Sequence, residues 1–197
     1  AYANGDQSIW DDWFAMIQPM ARTTPWMPTL GNHEIESQLT GTAGDSWGAF
    51  GYDPYRSRFA LPSNGSDDLA GCYYAFRYGS VHVICIDNND VNTEIEGNIG
   101  YTGGRQQQFV ERELAAARTD PAVDFIVVAM HQCAFSSSTK HGSDEGVRRA
   151  WFDLFHRYSV DLVLQGHDHT YERTHTMVGD RVVSEGPVYR SDVGHLY

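Results

Sequence analysis

Three stretches of this sequence end an apolar run with residues that bind metals. They are Asn32-His33 after Leu30-Gly31, His131 after Val128-Ala129-Met130, and His167 with His169 after Gly166. Neutral imidazole together with amide or carboxylate oxygen suits zinc, iron, nickel or manganese. The glycine before His167 allows a tight turn that points the imidazoles of His167 and His169 into one cavity, with Asp168 between them pointing away. An H-x-H pair alone is weak evidence. The same pair with two further strand-end donors is much stronger, because ligands of open α/β sheets bind beyond the carboxyl ends of the strands, where the loops converge.

The elements that would carry these residues follow from periodicity. Ser8 can cap a helix with the apolar face Ile9, Trp10, Trp13, Phe14 and Ile17, ending near Pro19. Residues 21–34 pass Pro25 and Pro28 and read as a short strand followed by a tight turn. Residues 37–71, rich in Gly, Ser, Asp and Pro, read as a long surface excursion of the kind usually kept for function. Tyr73–Tyr78 and Val81–Ile86 flank Gly79-Ser80 as a hairpin. Gln106–Arg118 is a helix stopped by Asp120-Pro121, and Asp124–Met130 is an apolar strand that delivers His131. Val147, Trp151, Leu154, Phe155 and Tyr158 recur at helical spacing, and Val160–Leu164 is a strand that delivers Gly166-His167. Short strand-like pieces follow, among them Arg181–Ser184 and Pro187–Arg190. Two buried strands alternating with helices predict an α/β layered domain.

Charge and composition narrow the function. Among 197 residues, 26 are Asp or Glu and 14 are Lys or Arg, a formal net charge of −12. Such a surface disfavours binding to nucleic acid or anionic lipid, which depends on neutralising phosphates with Lys and Arg. An acidic protein that acts on phosphate compounds needs a bound cation for local positive charge. The longest apolar run, Phe125–Met130, is far below the roughly 20 residues of a membrane span. Cys72, Cys85 and Cys133 form no C-x-x-C motif, and their odd number argues against a disulfide framework or a cysteine zinc site. One disulfide and one free thiol stays compatible with them, so they do not decide the redox compartment.

With these residues in place, the sequence resembles the calcineurin-like metallophosphoesterases. Gly31-Asn32-His33-Glu34 is similar to their G-N-H-[DE] motif, Val128-Ala129-Met130-His131 to V-x-x-H, and Gly166-His167-Asp168-His169 to G-H-x-H, in the same order. Thr170-Tyr171-Glu172-Arg173 and Pro25-Trp26-Met27 resemble the purple acid phosphatase branch. The resemblance runs from Tyr2 to about Tyr189. It implies an α/β/β/α fold, two sheets in a sandwich flanked by helices, with residues 1–197 forming one calcineurin-like domain that is incomplete at its N-terminus. Of the branch's D-x-G and G-D-x-x-Y motifs, only Tyr2-Ala3 matches, at the end of the second. Gly5-Asp6 does not replace them, because no buried strand precedes it and no tyrosine follows at the required spacing. Two aspartate ligands, one of them bridging, are thus expected to be absent from this chain.

Carried over residue by residue, the resemblance implies one metal on Asn32, His131 and His167 and a second on Tyr2 and His169. The ions would be iron plus zinc, manganese or a second iron. It implies that His33 and His141 bind phosphate or protonate the leaving group. The implied activity is hydrolysis of small phosphate monoesters at acidic pH, in an extracytoplasmic location, with no nucleic-acid surface and no membrane span. Two alternatives stand beside it: a phosphodiesterase or nucleotidase on the same fold, and an inactive fragment that only binds metal or phosphate. Simpler roles are expected for the remaining polar residues. Glu34 braces its turn, His82 lies on a strand face, and His156 is on the polar side of its helix. His175 and His195 belong to an irregular tail, while Asp11-Asp12 and Asp67-Asp68 are solvated pairs.

Overall fold

A computed structural model describes residues 7–35, 52–94, 98–185, 194, 196 and 197. Tyr2, Asp6, His195 and the expected Pro187–Arg190 strand lie outside the described residues. The elements run α1 (Gln7–Ala21), a 3-10 turn (Asn32–Glu34), α2 (Asp53–Arg56), β1 (Tyr74–Tyr78), β2 (Val81–Cys85), a second 3-10 turn (Asn88–Asp90), α3 (Arg105–Thr119), β3 (Phe125–Ala129), α4 (Glu145–Arg157), β4 (Leu162–Leu164), β5 (Thr176–Val178) and β6 (Arg181–Ser184).

Strands β1 to β4 form one sheet in sequence order, and β5 with β6 forms a second. β1 and β2 are the antiparallel hairpin expected around Gly79-Ser80. β2, β3 and β4 are parallel, as strands joined through helices must be to pack those helices on the sheet. Ala75, Ile84, Val128 and Val163 stand in register across all four strands and are buried. With Ile126 they meet the buried face of α3 (Phe109, Val110, Leu114) and Trp151 and Phe155 of α4 in one core. The parallel pairing has a direct functional consequence: β2, β3 and β4 all release their chains at the same edge. Near the C-terminus, Leu196 bridges Leu162 of β4 in parallel and accepts from the Val163 N–H at 2.8 Å.

Four expectations are corrected. The segment before Gly31 forms no strand among the described residues. Pro25 and Pro28 cannot donate to a ladder, and the Pro28 carbonyl is taken instead by the Tyr55 and Tyr74 hydroxyls at 2.9 and 2.7 Å. α1 continues past Pro19 to Ala21, because a proline in the last turn removes only one internal bond there while Arg22 still donates to Gln18. Ser8 accordingly lies within α1, which begins at Gln7. The acid pairs are not merely solvated: Asp11 meets Arg58 at 2.7 Å and Asp68 meets Arg105 at 2.8 Å. Within the long excursion, α2 and the residues after it pack Tyr55 and Phe59 against Trp10 of α1.

Candidate metal centre

At the edge where the parallel strands end, β3 continues through Met130 to His131, and β4 through Gln165 and Gly166 to His167. The Gly166 N–H donates to the His131 carbonyl at 2.9 Å, which ties the two exits together. Gln165 strengthens the tie: its side-chain carbonyl accepts from the Ala134 N–H, and its amide donates to the Phe135 carbonyl at 3.1 Å. His167 and His169 both adopt left-handed backbone, φ 72° and 54°. Non-glycine residues in that region are held there by their surroundings, commonly at functional sites.

The side chains converge as the sequence reading required. His131 Nε2 stands 3.0 Å from Asn32 Oδ1 and 3.3 Å from His167 Nδ1. Donors bound to one ion at about 2.1 Å stand about 3.0–3.4 Å from one another in octahedral or tetrahedral geometry. His131 Nε2 is therefore spaced from each of its two neighbours as donors of one metal ion are. Space around His131 is reserved by two glycines: a Cβ on Gly31 would lie 3.1 Å from Nε2, and one on Gly166 would lie 3.1 Å from Nδ1. His33, His141, His169 and Lys140 line the same cavity of about 370 Å³ with these donors. Six of the seven residues singled out in the sequence thus share one cavity, and the seventh, Tyr2, lies outside the described residues.

Neighbouring turns hold the donors in place. Glu34 accepts from the Gly31 N–H at 2.8 Å and closes the turn that presents Asn32. A buried amide links this turn to the next: Asn89 donates to the Gly31 carbonyl at 3.0 Å and accepts from the Gln132 side chain at 2.8 Å. Asn89 sits on a polar hub at the end of β2, where Asp87 takes the hydroxyls of Tyr52 and Tyr101 at 2.7 and 2.9 Å. Asp168 points away from the cavity, as expected, and accepts from the His141 and Gly142 N–H groups at 3.3 and 3.4 Å. It thereby holds the loop that carries His141. His82 pairs with Glu113 at 3.5 Å on the sheet, away from the cavity.

One carboxylate in this site was missed. Glu94 Oε2 stands 2.7 Å from His167 Nε2, and the other carboxylate oxygen contacts His141 Nδ1. Glu94, His141 and His167 bring three potential ligand atoms within 4.8 Å of one another. Nothing local in Asn92-Thr93-Glu94 announces a site residue. The usable signal was the polar run Asp87-Asn88-Asn89-Asp90 directly after a buried strand, which marks the loop as belonging to the sheet's carboxyl edge.

Burial shapes the electrostatics. Removal from water, reinforced by the neighbouring His167, lowers the His131 pKa to about 3. Burial likewise lowers that of His33, with His167, His169 and His141 adding to the effect. Closely grouped imidazoles kept neutral in this way are suited to accept a cation.

Comparison with known proteins agrees with this geometry. The sequence profile of the calcineurin-like phosphoesterases matches residues 2–171. An uncharacterized protein of Mycobacterium tuberculosis is 45% identical over 186 residues, covering 90% of this chain and 34% of its own length. A probable purple acid phosphatase 20 of Arabidopsis thaliana is 31% identical over 194 residues, covering 96% of this chain and 42% of its own. Purple acid phosphatase 21 of the same plant is 30% identical over 190 residues, covering 96% and 40%. The chain thus spans about a third to two fifths of the length of these relatives. With its three donor-bearing motifs gathered at one sheet edge and the profile matched over most of its length, the chain belongs to the calcineurin-like phosphoesterases.

Proposed function

We propose that this chain hydrolyses phosphate monoesters of small molecules at acidic pH, using two metal positions of which Asn32, His131 and His167 form one. The observation that carries the reading is the 3.0 and 3.3 Å spacing of Asn32 Oδ1, His131 Nε2 and His167 Nδ1 inside a cavity lined by further histidines. His169 and Tyr2 hold the second position in this reading, which rests on the family motifs and on the purple acid phosphatases among the relatives. Iron with zinc, manganese or a second iron is the pairing those relatives suggest, and an extracytoplasmic location rests on the same resemblance. Metal ions held by these residues would supply a hydroxide nucleophile and positive charge against the phosphate.

The protein's own residues do the rest. His131, neutral down to about pH 3, keeps its lone pair available in acid, where ordinary histidines are protonated and release metals. On a chain with net charge −12, Lys140 places local positive charge, and the histidine ring N–H groups place hydrogen-bond donors, in the cavity where a phosphate would sit. In this reading His33 and His141, which line the cavity, bind phosphoryl oxygens through ring N–H groups or, when protonated, donate to the departing alkoxide, a contribution made mainly in the transition state.

The test uses the full-length protein loaded with iron and zinc or manganese. Turnover of p-nitrophenyl phosphate across acidic to neutral pH is compared with turnover of bis(p-nitrophenyl) phosphate. Preferred turnover of the monoester, abolished by chelation and by His131→Ala, is expected. Preference for the diester would replace this reading with a phosphodiesterase. Bound metal without turnover of either ester would leave a metal- or phosphate-binding protein.

A further inference from the structure

We propose that Glu94, which lies outside all three family motifs, is a positioning residue that fixes the ring tautomer of His167 and anchors His141 beside it. The inference rests on the reading that Asn32, His131 and His167 hold a metal. His167 is almost fully buried, and its two ring nitrogens face different partners: Nδ1 lies 3.3 Å from His131 Nε2, and Nε2 lies 2.7 Å from Glu94 Oε2. A hydrogen bond from the ring to that carboxylate oxygen needs the proton on Nε2, which leaves the lone pair of a neutral ring on Nδ1. That is the tautomer in which Nδ1 can join Asn32 Oδ1 and His131 Nε2 around a cation. A neutral imidazole has a single lone pair, and the carboxylate decides where it points. The other oxygen of Glu94 meets His141 Nδ1 and turns that ring's Nε2 away from the carboxylate.

Glu94 is itself placed by a distant element. Asp144 caps α4 by accepting from the Val147 N–H at 2.9 Å through one oxygen. Its other oxygen accepts from the N–H groups of Thr93 at 2.8 Å and Glu94 at 3.0 Å, and from the Thr93 hydroxyl at 3.2 Å. Gly146, in the first turn of α4, lets this loop approach, since a Cβ there would lie 2.0 Å from the Val91 carbonyl. A cation held by Glu94, His141 and His167 is the competing arrangement. It would take the lone pair on Nε2 and leave a proton on Nδ1 facing His131, which breaks the other donor set.

The test compares wild type, Glu94→Ala and Glu94→Gln in the full-length protein. Nitrogen NMR of the histidine rings in the metal-stripped protein reads the tautomer directly. Wild type is expected to show His167 protonated at Nε2, Glu94→Gln to keep that form through its remaining carbonyl acceptor, and Glu94→Ala to lose it. Zinc affinity, measured by chelator competition, should fall about 10- to 100-fold in Glu94→Ala, as for other outer partners of metal-bound histidines. An unchanged His167 tautomer in Glu94→Ala would overturn the proposal. So would loss of one whole metal equivalent with undiminished affinity for the remainder, which would make Glu94 a ligand. If wild type bound no metal, the functional reading would fall, while the tautomer measurement would still decide the role of Glu94.

Discussion

At the residue scale, the site is governed by what is missing as much as by what is present. His131 lies between Gly31 and Gly166, and neither glycine is there for its backbone freedom, since neither has a positive φ. Each leaves room for an imidazole. Gly166→Ala would put a methyl group 3.1 Å from His131 Nδ1, closer than ordinary contact, so the ring must shift by a few tenths of an ångström. A shift of that size spreads the donors whose spacing fits a metal. We expect Gly166→Ala to lower zinc affinity about tenfold, in the manner of lost support around a ligand, with an overpacking cost of about 1–3 kcal/mol. Chelator competition and urea unfolding measure the two separately. A variant that lost stability but kept its affinity would show that His131 tolerates displacement.

At the element scale, the sequence was most legible where periodicity and punctuation agree. The Gly79-Ser80 hairpin, the amphipathic pattern behind α3 and α4, and the apolar run of β3 all led to elements within a few residues of those observed. The three donor motifs were legible because each is contiguous and sits just beyond an element. Glu94 was not, because it reaches the site through Asp144, 50 residues away in sequence, and such a contact leaves no local pattern. The Asn89 bridge was hidden for the same reason: it joins turns contributed by the Gly31 and Gln132 segments, 58 and 43 residues distant. The strand expected before Gly31 failed for another cause, since its prolines remove the donors a ladder needs. Gly146→Ala tests the long-range route. Its Cβ would strike the Val91 carbonyl, a backbone atom that cannot rotate aside, and would push the Glu94 loop away from α4. The expected result is a loss of about 1–3 kcal/mol in urea unfolding together with the reduced metal affinity of Glu94→Ala. Stability loss with wild-type affinity would detach the loop from the site.

At the scale of the whole molecule, two buried groups pull stability in opposite directions as pH changes. Burial raises the Asp87 pKa to about 7 from an ordinary 3.8, against the opposing hydrogen bonds from Tyr52, Asn89 and Tyr101. Its folded pKa exceeds its unfolded one, so its contribution is most favourable below about pH 4. That contribution declines as pH rises and levels off above about 7, a swing of at most about 4 kcal/mol. His131 runs the other way. Its folded pKa of about 3 lies below the ordinary 6.5, so its contribution is intact above about pH 6.5 and is lost as pH falls toward 3. Between about pH 4.5 and 6 the two slopes nearly cancel, each being a little over about 1 kcal/mol per pH step. The metal-free protein should therefore show a nearly flat urea-unfolding free energy across that interval as far as these two groups determine it. Asp87→Asn removes one slope and should expose a stability that falls on acidification. His131→Gln removes the other and should expose one that rises. Parallel pH profiles for wild type and both variants would mean that neither group titrates from its buried state. A flat wild type with the two opposite slopes would show that the neutral metal-binding imidazole, which costs stability in acid, is balanced by the carboxyl hub that braces the turn beneath it.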